Sequence, residues 1–234
     1  MSFATACGGG SGNSSRSGVF IGDFESGDLS QWDNVQALPG KAGVVERPVA
    51  EGAYAGRFEV EKGDEEPETG SQRAEVISGE EFEEGDVRYF RILSRVESWD
   101  YSTWGIVWQI HDDSDGTPPL SLQLERDGST PMLWLGPGDA AVDLWEAPLQ
   151  VGEWFEIVIR VAFADEGSVA VWLNGEPQTM LDADGGTVFD PIDTLGAAPD
   201  YDKLGIYRSR DSTDPAVVYH DGYRIGEQFF SDPP

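Results

Sequence analysis

Gln109 and His111 stand two residues apart in segment 104–111, where apolar residues alternate as they do in a β-strand. Because successive side chains on a strand point to opposite faces, the amide and the imidazole are predicted to share one face. An imidazole exchanges a proton near neutral pH, and an amide can hold a carboxylate or a developing oxyanion. This face is either the floor of a polar site or a solvent-facing strand end. The opposite face is predicted to enter a core through Trp104, Ile106, Trp108 and Ile110.

Two further segments repeat this design, with polar side chains on one face and apolar side chains on the other. Arg73 and Glu75 share a face of one predicted strand, and Lys203 and Tyr207 share a face of another. If the three strands are neighbours in one sheet, they bring two cations, a carboxylate, an amide, an imidazole and a phenol to one concave surface. Two more cations follow directly, Arg208 and Arg210.

The charge of the chain gives this cationic cluster its significance. The 234 residues include 44 acidic and only 15 basic side chains, for a net charge of −29. Such a charge excludes nucleic acid as a partner, and its overall field also opposes other polyanions. We attribute the acidity to solubility or to a high-salt habitat. A local reversal of charge in so acidic a protein therefore marks a candidate site.

Short alternating strands separated by turn residues run through most of the chain. Asn174-Gly175 is a strong hairpin signal, and no stretch keeps a helical period over three turns. Neither an internal repeat nor a linker divides residues 19–234, so we predict a single all-β domain. Its expected architecture is a sandwich of two antiparallel sheets of the jelly-roll kind.

Residues 1–18 are rich in Ser and Gly and are predicted to form a disordered tail. Cys7, the only cysteine, excludes an internal disulfide. Small residues before it and a Gly/Ser spacer after it are typical of bacterial lipoproteins, so a lipid anchor and an extracellular or cell-surface location are expected. A flexible tail with an incidental thiol is the alternative. No apolar run is long enough to span a membrane, and a monomer is expected.

Three blocks together resemble the signature blocks of β-jelly-roll polysaccharide lyases: Arg73-Ala74-Glu75-Val76, Gln109-Ile110-His111, and the seven residues 201–207. The resemblance covers residues 19–230 and includes family 7 alginate lyases. The surrounding sequence is closer to the glucuronan lyase and heparin lyase I-like branch, at 52–60, 118–120 and 172–175. Ala74 and Asp202 depart from the alginate-lyase pattern. The resemblance implies a concanavalin A-like β-jelly roll with a concave substrate groove.

The resemblance also implies β-elimination on a 4-linked polyuronate, glucuronan first and alginate second. Arg73, Gln109 and His111 would hold the substrate carboxylate and stabilise the dianion formed when the C5 proton leaves. Tyr207 would protonate the departing O4, and either His111 or Tyr207 would take the C5 proton. In glucuronate and mannuronate the two atoms lie on one face of the ring, so Tyr207 could do both. In guluronate they lie on opposite faces and His111 would be needed.

The remaining site predictions concern substrate binding and metals. Glu75 is expected to orient Arg73, and the further substrate-binding candidates are Lys203, Arg208, Arg210, Gln123, Trp99 and Tyr101. No cofactor and no metal ligand are predicted; 112–116 has the composition of a calcium loop without its ligand spacing, so a solvated acidic turn is expected and a structural calcium is the alternative. Two other functions remain open. One is a non-catalytic carbohydrate-binding jelly roll, and the other is a glycoside hydrolase, which would need paired carboxylates that we do not find.

Overall fold

The structure is a computed structural model that describes residues 20–114, 116–139, 142–181, 183–197 and 199–230. The predicted tail 1–18 and its Cys7 lie outside these ranges. The described residues form sixteen strands: β1 (Phe20–Gly22), β2 (Asn34–Ala37), β3 (Ala42–Val45), β4 (Ala55–Val60), β5 (Gln72–Phe82), β6 (Val87–Ser98), β7 (Gly105–His111), β8 (Leu120–Asp127), β9 (Thr130–Gly136), β10 (Trp145–Pro148), β11 (Trp154–Ala162), β12 (Gly167–Leu173), β13 (Glu176–Pro177), β14 (Phe189–Ile192), β15 (Asp200–Arg208) and β16 (Ala216–Gly226). Within the described ranges, no helix capable of crossing a membrane is present.

The strands form two sheets, and every strand pair is antiparallel. The nine-stranded sheet has the order β13-β12-β11-β6-β16-β4-β3, with β1 beside β16 and β14 beside β12. The seven-stranded sheet has the order β10-β9-β8-β7-β15-β5-β2. Hairpin neighbours alternate with pairs that are distant in sequence, such as β6-β16, β16-β4, β7-β15 and β15-β5, as expected when a chain crosses between two sheets. The predicted all-β jelly roll with two antiparallel sheets is confirmed.

The core lies between the two sheets and follows the predicted alternation. In the nine-stranded sheet, the inward residues of β6 include Phe90 and Ile92, which are fully buried. In the seven-stranded sheet, Leu120, Leu122 and Leu124 of β8 are also fully buried. Burying each such side chain contributes about 1.5–3 kcal/mol. The outward side of the seven-stranded sheet is therefore free to carry polar groups.

The predicted hairpin signal at Asn174-Gly175 is confirmed by the backbone. Asn174 has φ 50° and Gly175 has φ 81°, so both turn residues are left-handed, as a type I′ turn requires. The turn joins β12 to β13, which pair directly after it.

A bulge in β7 reverses the predicted orientation of the side chains in its first half. Ile106 pairs with Gln123 of β8, but Trp108 pairs with the adjacent Leu122, so β7 carries one extra residue at Val107. Val107 and Trp108 both enter the core, and the alternation before them is inverted. The prediction that Trp104 and Ile106 face the core is therefore wrong. Trp104 is 43% exposed, and both side chains line a surface groove.

Candidate active site

The three polar segments lie on adjacent strands in the middle of the seven-stranded sheet. Strand β15 lies between β5 and β7. Tyr207 pairs with Arg73 of β5, and Lys203 pairs with Gln109 of β7. A groove of about 780 Å³ runs over this surface. Its lining includes Gln36, Arg73, Trp104, Ile106, His111, Tyr201, Lys203 and Tyr207.

Two cations meet at one amide oxygen in the floor of this groove. Arg73 Nη1 and Lys203 Nζ each donate to Oε1 of Gln36, at 3.2 Å in both cases. Gln36 lies on β2, opposite Glu75 of β5. Both cations are nearly buried, with 7% and 3% of their surface exposed. Their charges are therefore screened little by solvent and act strongly on a ligand in the groove.

Glu75 is the counter-ion of this pair. It is 1% exposed, its Oε2 lies 3.3 Å from Arg73 Nη1, and its Oε1 accepts a hydrogen bond of 2.5 Å from Gln109 Nε2. Burial raises the pKa of Glu75, while Lys203 and Arg73 pull it down. Burial likewise lowers the pKa of Lys203, which Glu75 opposes. With all three groups ionised the cluster carries one net positive charge, which suits an anionic ligand.

The hydrogen bonding of His111 leaves one ring nitrogen available as a base. Its Nδ1 lies 2.5 Å from the main-chain oxygen of Asp112. A carbonyl oxygen only accepts hydrogen bonds, so Nδ1 carries the proton and Nε2 has a free lone pair. Burial, followed by the charge of Lys203, lowers the pKa of His111. The neutral imidazole is therefore the dominant form at neutral pH.

Tyr207 lies at one end of this cluster, in contact with a cation and an aromatic ring. The guanidinium carbon of Arg73 is 4.3 Å from the centre of the Tyr207 ring. The Trp104 and Tyr207 rings pack in a T-shaped arrangement, with centroids 5.0 Å apart. These contacts fix the phenol within the groove.

The backbone of β15 is shaped so that Lys203 and Tyr207 can share the groove. Gly205 between them has φ 142°, and a Cβ there would lie 2.2 Å from the main-chain oxygen of Ala74. Only glycine fits such an approach. Beneath it, His220 is fully buried between Ser94 Oγ, 2.8 Å from Nδ1, and Gly205 O, 3.4 Å from Nε2. Burial lowers the pKa of His220 to about 3, so this histidine is a neutral part of the core.

Two of the predicted substrate-binding aromatics lie away from the groove. Trp99 is 7% exposed and packs in the core against Gly105, so it has no face free for a sugar. Tyr101 packs against the same core with its hydroxyl enclosed, and burial raises its pKa to about 12. The expected stacking role is wrong for both. Sequence reasoning could not separate core tryptophans from surface ones in a loop without periodicity.

Three polar candidates also depart from the expected groove. Gln123 is 3% exposed and donates to Ser121 Oγ at 3.0 Å, outside the groove lining. Arg208 is 2% exposed and is not part of the groove lining. Arg210 is 63% exposed and donates to the main-chain oxygen of Gly70. Both arginines line a smaller neighbouring pocket instead.

The sequence did not single out Gln36 or Tyr201 as site residues, although both line the groove. Tyr201 lies 5.9 Å from the His111 ring and 5.4 Å below the ammonium of Lys203. Because Tyr201 is two residues before Lys203, strand alternation could have predicted that both side chains share the groove face. Gln36 lies on a four-residue strand whose sequence carries no such signal.

Asp202 lies between Tyr201 and Lys203 in sequence but points inward, away from the groove. It accepts hydrogen bonds from Tyr223 Oη, at 2.6 Å, and from Ser78 Oγ. The carboxylate that Asp202 introduces next to Lys203 in the sequence therefore does not reach the groove surface. Burial raises the pKa of Asp202 to about 6.

The acidic turn at 112–116 is organised by its own hydrogen bonds. Asp112 Oδ1 accepts from the main-chain nitrogen of Ser114 at 2.9 Å and from its hydroxyl at 2.6 Å. Its Oδ2 accepts from Ala197 N. Asp115 lies outside the described residues, among which no group of three possible metal ligands occurs.

Solved structures with this architecture include several polysaccharide-degrading enzymes. The endo-β-1,4-glucuronan lyase of the fungus Trichoderma reesei matches with a TM-score of 0.68 and 16% identity, over 90% of this chain and 95% of that one. Alginate lyase AlgAT5 of polysaccharide lyase family 7 matches with 0.56 and 18%, over 86% and 96%. The catalytic domain of a glycoside hydrolase family 131 protein from Coprinopsis cinerea matches with 0.56 and 16%, over 78% and 73%. At these identities the likeness shows the fold alone.

The family is shown by the sequence. No curated protein sequence is significantly similar to this chain. The family model described as "Polysaccharide lyase", however, matches residues 24–224, and that span contains all three polar segments. The chain therefore belongs to the polysaccharide lyase family.

Proposed function

We propose that this enzyme cleaves a 4-linked polyuronate by β-elimination and leaves a 4,5-unsaturated uronate at the new chain end. The observation that carries the proposal is the convergence of Arg73, Lys203, His111 and Tyr207 on one groove in a protein of net charge −29. The cluster of Arg73, Lys203 and Glu75 carries one net positive charge when ionised, so it attracts a uronate carboxylate locally, although Glu68, Asp112 and Asp113 also line the groove.

The substrate carboxylate is proposed to bind beside Arg73 and Lys203. Removing the C5 proton places a second negative charge next to that carboxylate, and fixed cations offset this charge in the transition state. Gln109 is proposed to act with them, although its Nε2 donates to Glu75 in the free enzyme. A rotation of this amide, or a shift of Glu75, would turn a donor toward the sugar.

His111 and Tyr207 are proposed to carry the protons. The free Nε2 of His111 accepts the C5 proton when base and leaving oxygen lie on opposite ring faces. Tyr207 donates a proton to O4 in either geometry. When both atoms lie on the same face, as in glucuronate, Tyr207 can serve both steps, and Arg73, whose guanidinium carbon lies 4.3 Å from the centre of the Tyr207 ring, stabilises the phenolate.

Glucuronan is proposed as the preferred polymer, with alginate second. Support comes from a fold shared with a glucuronan lyase and with a family 7 alginate lyase. The inward turn of Asp202 keeps its charge out of the groove, so this departure from the alginate-lyase pattern does not itself argue against either polymer. We also propose that the enzyme acts outside the cell as a monomer.

An ultraviolet assay over glucuronan, alginate and polygalacturonate tests the proposal, because elimination creates a conjugated C4–C5 double bond that hydrolysis does not. Tyr207→Phe is expected to lower kcat/KM by at least about 100-fold on every cleaved polymer, and His111→Ala to do so on a polymer for which His111 is the base, as loss of a proton-transfer group does. If neither variant loses about 100-fold on the best substrate, the assigned roles are wrong. Arg126→Gln, on an exposed site of β8, is the matched control. Reducing ends without ultraviolet absorbance would indicate a hydrolase, and binding without cleavage would indicate a binding module.

A further inference from the structure

A second, smaller pocket opens from the end of the groove. It has a volume of about 300 Å³ and is lined by Ser71, Gln72, Trp104, Tyr207, Arg208 and Arg210. Ser71, Trp104 and Tyr207 line both cavities. A chain molecule lying in the groove therefore passes Tyr207 as it enters this space, which we call the arginine pocket.

Arg208 in this pocket is a buried cation without a carboxylate in direct contact. Its Nε donates to Gln72 Oε1 at 3.2 Å and its Nη1 to the main-chain oxygen of Asp214. Its Nη2 is buried and has no hydrogen-bond partner among the described residues, and no carboxylate in those ranges lies within ion-pair distance of the guanidinium. Burial lowers the pKa of Arg208, and more distant carboxylates, led by Asp100, offset part of this effect. A buried donor without a hydrogen-bond partner is costly and calls for an explanation.

Arg210 and Trp104 supply the rest of a sugar site. Arg210 is 63% exposed, and its nearest carboxylate, Glu65, is 4.0 Å away. Its charge is thus only weakly engaged at the surface. Trp104 is 43% exposed at the junction of the two cavities. An exposed aromatic ring beside two guanidinium groups suits a sugar ring that carries a carboxylate.

We propose that the arginine pocket binds the carboxylate of the uronate whose glycosidic oxygen departs in the reaction. This inference rests on the proposed function. In the elimination the C5–H electron pair becomes the C4–C5 double bond. The C4–O4 pair leaves with O4, and the C5 proton goes to the base while the acid protonates O4. The sugar that keeps O4 must therefore lie beside the acid, and Tyr207 is the residue shared by both cavities.

This placement gives the two groups of cations different tasks. Arg73 and Lys203 hold the sugar that loses its proton, whereas Arg208 and Arg210 hold the departing sugar. The enzyme then requires charged sugars on both sides of the bond that breaks. A neutral sugar at the departing position would leave Arg208 without its partner, so such a bond would be cut slowly.

The test compares Arg208→Gln and Arg210→Gln with Arg126→Gln, which removes the same charge from an exposed site of β8. The ultraviolet assay on the best polyuronate gives KM and kcat, and calorimetry gives the Kd of a saturated uronate trisaccharide and of the neutral β-1,4-glucan trisaccharide. We expect each pocket variant to lower kcat/KM at least tenfold, mainly through KM. The uronate Kd should rise at least fivefold, while Arg126→Gln changes each value less than twofold. The neutral trisaccharide should bind equally weakly to all four proteins.

The outcomes separate this inference from the proposed function. If the unmodified enzyme eliminates a polyuronate but both pocket variants match Arg126→Gln, the arginine pocket is not a subsite. If no elimination occurs, the proposed function fails, but the uronate titration still tests whether the arginine pocket binds a uronate. Weaker binding to Arg210→Gln supports the subsite, and unchanged or absent binding overturns the subsite. Arg210 is exposed, so its variant serves if Arg208→Gln does not fold.

Discussion

Asp202 allows us to measure how much stability the protein loses by burying a carboxylate on β15, the strand at the centre of the groove. Its carboxylate is fully buried beneath β15, where Tyr223 and Ser78 donate to it. The perturbation we choose is Asp202→Asn. An amide of the same shape accepts from the Tyr223 hydroxyl and donates to Ser78 Oγ, so packing is retained while the titrating charge is removed.

The magnitude follows from the pKa. Burial raises the pKa of Asp202 from an ordinary 3.8 to about 6. The native state therefore holds this proton more tightly than the unfolded state does. As pH rises from about 4 to about 7, the unmodified protein loses stability that the variant keeps. A difference of about two pH units corresponds to about 3 kcal/mol.

Urea unfolding at pH 4 and at pH 8 is the assay, because the free energy of unfolding is obtained at each pH for both proteins. The variant is expected to gain about 2.5 kcal/mol relative to the unmodified protein between these pH values, because the unfolded carboxyl is already partly ionised at pH 4. Any constant cost of the amide cancels in this comparison. Asp127→Asn, at the exposed end of β8, should show no such gain. If Asp202→Asn changed the free energy of unfolding by the same amount at both pH values, the raised pKa of the Asp202 carboxyl would be refuted.

Two further outcomes concern the groove itself. Burial and Lys203 lower the pKa of His111. For a polymer whose C5 proton and O4 lie on opposite ring faces, kcat/KM should therefore decline on the acidic side with a midpoint below about pH 6.5, the ordinary pKa of histidine. A midpoint above pH 7 would exclude His111 as the cause of the decline. Gly205→Ala would force a Cβ against Ala74 O, so the variant should lose more than about 1 kcal/mol of stability. Its kcat/KM should fall at least tenfold, whereas Gly175→Ala, whose Cβ site is open, should keep full activity; equal activities would contradict the role assigned to β15.

The sequence predicted the shared face of Arg73, Glu75, Lys203 and Tyr207 because strand alternation is strict where one face packs on a core. Adjacent placement of the three strands followed from the family resemblance, since nothing local specifies which strands pair over such distances. The expectation that Arg208 joins the groove surface did not take account of alternation, and Arg208 lines the neighbouring pocket instead.

Other features required coordinates. The bulge at Val107 depends on pairing with β8, and no composition signal marks it. Gln36 reaches the cations only because β2 lies at the sheet edge beside β5. The burial of Trp99 depends on a packed glycine six residues later. Each of these depends on contacts between segments rather than on the local sequence.

The extra residue in β7 lets both halves of one strand present side chains to the groove. Trp104 and Ile106 precede the bulge and Gln109 and His111 follow it, and both halves pair with β15, Ile106 with Tyr207 and Gln109 with Lys203. Deleting Val107 would restore strict alternation and turn Trp104 and Ile106 toward the core. The groove would then lose its wall beside Tyr207.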